Sequence, residues 1–133
     1  MPTVNKEVLA DMMVVSAQKE IASAGDLLFI GPRLTGLHSI TTKPLRSAAV
    51  IYENCAKSTQ DEPTRTKLIQ KAIEVVRELR DISRRCADND QDLCASSETI
   101  VEAITTGYLA PKFHNWVADR YQIKAKKLEA MLR

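Results

Sequence analysis

The sequence predicts an all-α protein, an up-and-down antiparallel helical bundle of four main helices, with a fifth if the last is broken at Gly107–Pro111. Three observations lead there. Apolar residues recur at steps of three and four over long stretches, which keeps one stripe on one side of an α-helix. Glycine is scarce, 4 in 133 residues, and aromatics make up only 5%, whereas sheets use glycine in turns and aromatics in cross-strand pairs. Links between the periodic stretches are mostly short, and long helices joined by short links fold back as antiparallel neighbours.

The first helix is expected from Thr3 or Asn5, either of which can cap, to about Ile30, where Gly31-Pro32 stops it. Val4, Val8, Met12, Val15 and Ala22 make its stripe, continued by Ile21, Ala24 and Leu28. Gly31 to Lys43 is expected to be irregular. Leu34, Leu37 and Ile40 recur there every third residue, which suits a short helical turn lying on the bundle. Pro44, read as a first-turn residue, opens the second helix, with Leu45, Ala48, Tyr52 and Cys55 inward and an end near Lys57–Thr59.

Asp61-Glu62-Pro63 opens the central helix with a capping acid, a second acid at the positive helix end and a first-turn proline. Leu68, Ala72, Val75, Leu79, Ile82 and Cys86 follow at steps of four, three, four, three and four, widened by Ile69, Ile73 and Val76. The back is charged: Lys71, Glu74, Arg77, Glu78, Arg80, Asp81, Arg84 and Arg85. The helix is expected to close near Ala87. The run Asp88-Asn89-Asp90-Gln91-Asp92 reads as a turn that caps a further helix carrying Leu93, Ser97, Ile100 and Ile104. The last helix runs from Pro111 to about Leu132, with Phe113, Trp116, Val117, Tyr121, Ile123, Leu128, Met131 and Leu132 on its apolar face.

One domain over residues 1–133 is the natural organisation at this length. An apolar content of 44% and a charged content of 27% suit a soluble core-forming chain. The net charge of +2 is interleaved rather than gathered, except toward the C-terminus. There Lys112, Arg120, Lys124, Lys126 and Lys127 form a basic surface suited to an acidic partner, anionic membrane headgroups or phosphate backbone. The start, Met1-Pro2-Thr3-Val4-Asn5-Lys6, lacks the basic-then-apolar order of a secretory leader, and no apolar run is long enough to span a membrane. Cys55, Cys86 and Cys94 lack metal spacing. They read as reduced thiols in a cytoplasmic protein, with a Cys86–Cys94 bridge across a helix turn as the alternative.

The chemistry is sparse. No Glu-x-x-His pair, zinc pattern, glycine-rich phosphate loop, Gly-x-Ser-x-Gly or dinucleotide fingerprint occurs, so no metal and no cofactor is expected. His114 reads as a rim residue beside core aromatics, and Tyr52 as a core ring with a polar tip rather than a phosphotyrosine site. The stretch Arg33-Leu34-Thr35-Gly36-Leu37-His38 resembles the Arg-x4-His motif of the HEPN helical ribonucleases. That resemblance implies that Arg33 and His38 would hold and cleave a phosphodiester. The motif here precedes the second helix, whereas in that family it lies in later ones. In architecture the chain resembles the vinculin, talin and focal-adhesion-targeting bundles, which implies an interaction module and carries over no residues.

The expected function is therefore a non-enzymatic protein–protein interaction or assembly module, through a protein partner or self-association. Its expected interface is Phe29, Leu34, Leu37 and Ile40, which are more apolar than a plain connection requires. The alternatives are the ribonuclease using Arg33 and His38, and a nucleic-acid or anionic-membrane binder using the basic last helix.

Overall fold

A computed structural model describes residues 5–24, 37–95 and 110–132, with side chains over 5–23, 42–88 and 115–132. Among the described residues there are four helices and no strands: α1 (Lys6–Ala24), α2 (Leu37–Ser58), α3 (Glu62–Ala95) and α4 (Ala110–Ala130). Consecutive helices pack on one another as a four-helix bundle. Ion pairs give the directions. Glu7 meets Lys67 and Lys71, so α1 runs parallel to α3. Arg77 pairs with Glu129 and Arg84 with Asp119, so α4 runs antiparallel to α3.

The α2–α3 turn is built from short polar side chains. The Ser58 hydroxyl donates to the Asn54 carbonyl at 2.9 Å, and the Thr59 amide closes the last turn of α2 on the Cys55 carbonyl at 3.2 Å. Asp61 caps α3 by accepting the Thr64 amide at 3.2 Å, as its sequence setting predicts. Asn5 does the same for α1, taking the Val8 amide at 3.3 Å.

The α3 seam forms as its spacing predicts: Leu68, Ile69, Ala72, Ile73, Val75, Val76, Leu79, Ile82 and Cys86 are all buried. From α2 come Leu45, Ala48, Ala49, Tyr52 and Ala56, and from α4 Ala118, Ala125 and Leu128. The small residues let the helices approach closely, while α3 supplies most of the branched bulk.

Three expectations are corrected. The helix of α3 does not close near Ala87 but continues to Ala95 through the expected turn at residues 88–92. That run holds no glycine or proline. Asp and Asn cost at most about 0.7 kcal/mol each in a helix, too little to stop one already propagating. The continuous helix also rules out the Cys86–Cys94 bridge. Eight residues of helix separate the two by about 12 Å along the axis, beyond the roughly 7 Å limit between bridged Cα atoms. Cys86 is buried and, like Cys55, is in no disulfide.

The second correction is at α2, which begins at Leu37, so that Pro44 lies inside the helix instead of opening it. Proline has no amide to give the Ile40 carbonyl, so one rung is missing there. Two residues before it Thr42 is buried, and its hydroxyl accepts from Arg46 Nη1 at 2.6 Å. The third correction concerns α1. Its expected stripe of Val8, Met12 and Val15 is exposed, and the buried side is instead Ala10 and Ala17, flanked by Met13, Val14 and Ile21.

A cavity of about 180 Å³ remains between α2 and α4 over α3, lined by Ala49, Val50, Val76, Leu79, Tyr121 and Leu128 among others. Leu79 is buried beside it, so Leu79→Ala enlarges an existing void. We expect a loss of about 2–5 kcal/mol, against under about 0.5 kcal/mol for the exposed Gln70→Ala. Equal losses in urea titration would refute the seam assignment.

Candidate interaction surface

The rotation of α1 is set by polar contacts. Lys71 on α3 reaches up between two acids, donating to Glu7 at 2.8 Å and to the two Asp11 carboxylate oxygens at 3.0 and 3.2 Å. The Tyr52 hydroxyl on α2 donates to Asp11 as well. The Lys71 ammonium also stands 5.7 Å from the centre of the Tyr52 ring. Lys67 adds a second pair to Glu7 at 3.3 Å. One helical turn of α1 is thus tied to both neighbours at once. Further along, the Gln18 amide donates to Glu78 at 3.3 Å.

The cluster shifts its own titrations. The hydrogen bond from Lys71 holds the Glu7 carboxyl below the usual range, against the opposing effect of burial. Burial pushes the Asp11 carboxyl up, but the hydrogen bonds from Tyr52 and Lys71 outweigh it and carry the group down. Burial, then the hydrogen bond to Asp11, raises the Tyr52 hydroxyl. Burial works against the Lys71 ammonium, yet Glu7 and Asp11 raise its pKa overall. Tyr52 itself is 3% exposed, a core ring with a polar tip as its sequence setting predicts.

With its inner side held this way, α1 turns Val8, Leu9, Met12 and Val15 outward, with Met12 at 65% and Val8 at 50% exposure. A shallow groove runs along this face past Asp11, Ser16 and Lys19. Sequence reasoning missed this surface because it took the outer stripe for the inner one. The true inner stripe, Ala10, Val14, Ala17 and Ile21, is likewise spaced by threes and fours, so periodicity alone carries no choice between them.

The expected interface falls largely outside the described residues: Phe29 and Leu34 lie there, as does Arg33 of the ribonuclease motif. Leu37, His38 and Ile40 occupy the first turns of α2, their side chains outside the described set. The basic surface on α4 divides. Arg120, Lys126 and Lys127 are exposed, while Lys124 pairs with Glu53 of α2 at 2.7 Å. The Lys112 and His114 side chains lie outside the described set. Trp116 and Ile123, expected inward, are 60% and 44% exposed. The inner side of α4 is Ala118, Tyr121, Ala125 and Leu128, a three-four-three spacing that alanine hides from a search for large residues. Among the described residues no grouping of His, Cys, Asp and Glu is placed to hold a metal ion.

Comparison with protein-family models, with curated proteins and with solved structures finds no match to this chain.

The cluster predicts a two-sided pH dependence for α1. Glu7 and Asp11 titrate below their unfolded values, so their contribution is present above about pH 4 and fades as pH falls through the folded values. Lys71 and Tyr52 titrate above theirs, so their contribution is present below about pH 10 and fades as pH rises further. Protection of α1 amides against hydrogen exchange, taken relative to the intrinsic rate at each pH, should therefore fall at both extremes before that of α3. Tyr52→Phe should cost about 1 kcal/mol, since Asp11 is open to water once its donor is gone. Protection in α1 and α3 that is lost together at acid pH would refute the clamp.

Proposed function

We propose that this chain is a non-enzymatic assembly module that pairs with a second copy of itself through the outer face of α1. The observation that carries the reading is the apolar strip of Val8, Leu9, Met12 and Val15 on a helix whose inner side is already fixed by Tyr52 and Lys71. A monomer gains nothing from keeping such a strip in water, and helix-on-helix packing is the ordinary way to bury it.

The charge pattern supports a second copy as occupant. The outward line of Asn5, Val8, Leu9, Met12, Val15 and Ser16 is uncharged, and the charges bordering it, Asp11 and Lys19, are of opposite sign. An antiparallel pairing about Met12 sets Leu9 of each copy against Val15 of the other, the self-complementary arrangement that a two-fold interface requires. Cys55 and Cys86, neither in a disulfide, suit a reducing, cytoplasmic setting. No helix among the described residues is long and apolar enough to cross a membrane.

Light scattering over a concentration series tests the reading. The wild-type chain should shift from monomer to dimer. Met12→Lys combined with Val15→Lys should stay monomeric, with its melting temperature within a degree or two, because both side chains are already in water. A wild-type chain that stays monomeric at every concentration refutes self-pairing. A double variant that unfolds instead refutes the exposed placement of the strip.

A further inference from the structure

The outer face of α4 carries a second pattern, and it is unlike that of α1. Trp116, Ile123 and Ala130 are exposed and spaced by seven residues, so they fall on one line along the helix. Arg120 and Lys127, both exposed, flank that line on one side, and exposed Lys126 flanks it on the other. The acids of this helix are spoken for. Asp119 takes Arg84 of α3 at 3.1 Å, and Glu129 takes Arg77. Among the described residues Arg120, Lys126 and Lys127 have no ion pair. The face is therefore a narrow apolar ridge bordered, among the described residues, by three cations outside any ion pair and by Asp119, which Arg84 neutralises.

We propose that this face of α4 seats on an anionic lipid surface, lying in the headgroup layer. A tryptophan and an isoleucine between cations match the two regions that meet at such a surface. The rings and aliphatic chain enter the apolar boundary, while the ammonium and guanidinium groups stay at the phosphates. With α4 already packed on α3 through Ala118, Ala125 and Leu128, the helix needs no refolding to present the ridge. Nucleic acid fits less well. Single strands are held by stacking on successive rings, and Ile123 and Ala130 supply none where the next base would lie.

Trp116 is the sole tryptophan of the chain, so its fluorescence reads this face alone. The full chain is titrated with phosphatidylcholine vesicles, with and without about a third phosphatidylserine. The expected result is a blue shift of emission and co-sedimentation with the anionic vesicles only, both lost as salt is raised. Arg120→Gln and Lys127→Gln should each lower the partition coefficient about fivefold, and Ile123→Glu should abolish the shift. Circular dichroism should leave all three variants as helical as the parent. Three results would overturn the proposal: no shift with anionic vesicles, an equal shift with neutral ones, or quenching by oligo-dT in place of vesicle binding. Unchanged partition of both glutamine variants would also overturn it, since the rim would then play no part. The Met12→Lys, Val15→Lys chain should bind vesicles through α4 as the parent does.

Discussion

The bundle depends on the unbroken apolar seam of α3. From Leu68 to Cys86 every three-or-four step along it is buried, and α2 and α4 both pack on it. Its bulk is branched and its partners' surfaces are largely alanine: Ala48, Ala49 and Ala56 from α2, Ala118 and Ala125 from α4. Such a division of volume lets one helix set the spacing for two others. It leaves their outward sides with little structural duty, which is why exposed apolar residues such as Val50, Trp116 and Ile123 sit there without destabilising the core.

α1 belongs to the bundle on different terms. It buries small residues, Ala10 and Ala17, so area contributes less than it does for α3, and direction comes from charge-assisted hydrogen bonds to Asp11 and Glu7. A helix held in this manner responds to protons and salt where a helix held by leucines does not. The proposed self-pairing uses the opposite face, so pairing and clamping do not compete for the same side chains.

How much was legible in the sequence follows from the same physics. The α3 seam could be read directly, because each of its stripe positions is large or apolar and its back is charged. The Asp61 cap and the inward Tyr52 were legible for local reasons: an acid ahead of a helix start, and an aromatic at seam spacing. The rotation of α1 was not legible. Its two stripes share one period, and the deciding groups, Tyr52 and Lys71, lie 41 and 60 residues away from Asp11 along the chain. The run at 88–92 carries turn-forming side chains but no glycine or proline to break the helix, so its composition points to a turn that the backbone does not make. In α4 the large Trp116 is exposed while the seam is marked by Ala118 and Ala125, whose small side chains carry a weak hydrophobic signal. The expected interface at Phe29, Leu34, Leu37 and Ile40 stays outside what the described side chains address.

The link of Thr59, Gln60 and Asp61 also sets an order of events. Three residues join α2 to α3, so closing that hairpin sacrifices the least chain freedom, and its contacts are the most local in the molecule. The contacts that seat α1 close much longer loops, such as the sequence separation of 64 between Glu7 and Lys71. The hairpin is thus the natural nucleus, and α1 arrives on a surface already formed. Interactions made after the rate-limiting step govern how fast a protein opens rather than how fast it assembles. By this reasoning the Asp11–Tyr52 contact acts as a latch on the folded state's lifetime. Its removal raises the unfolding limb in stopped-flow kinetics without changing its slope and leaves the folding limb in place.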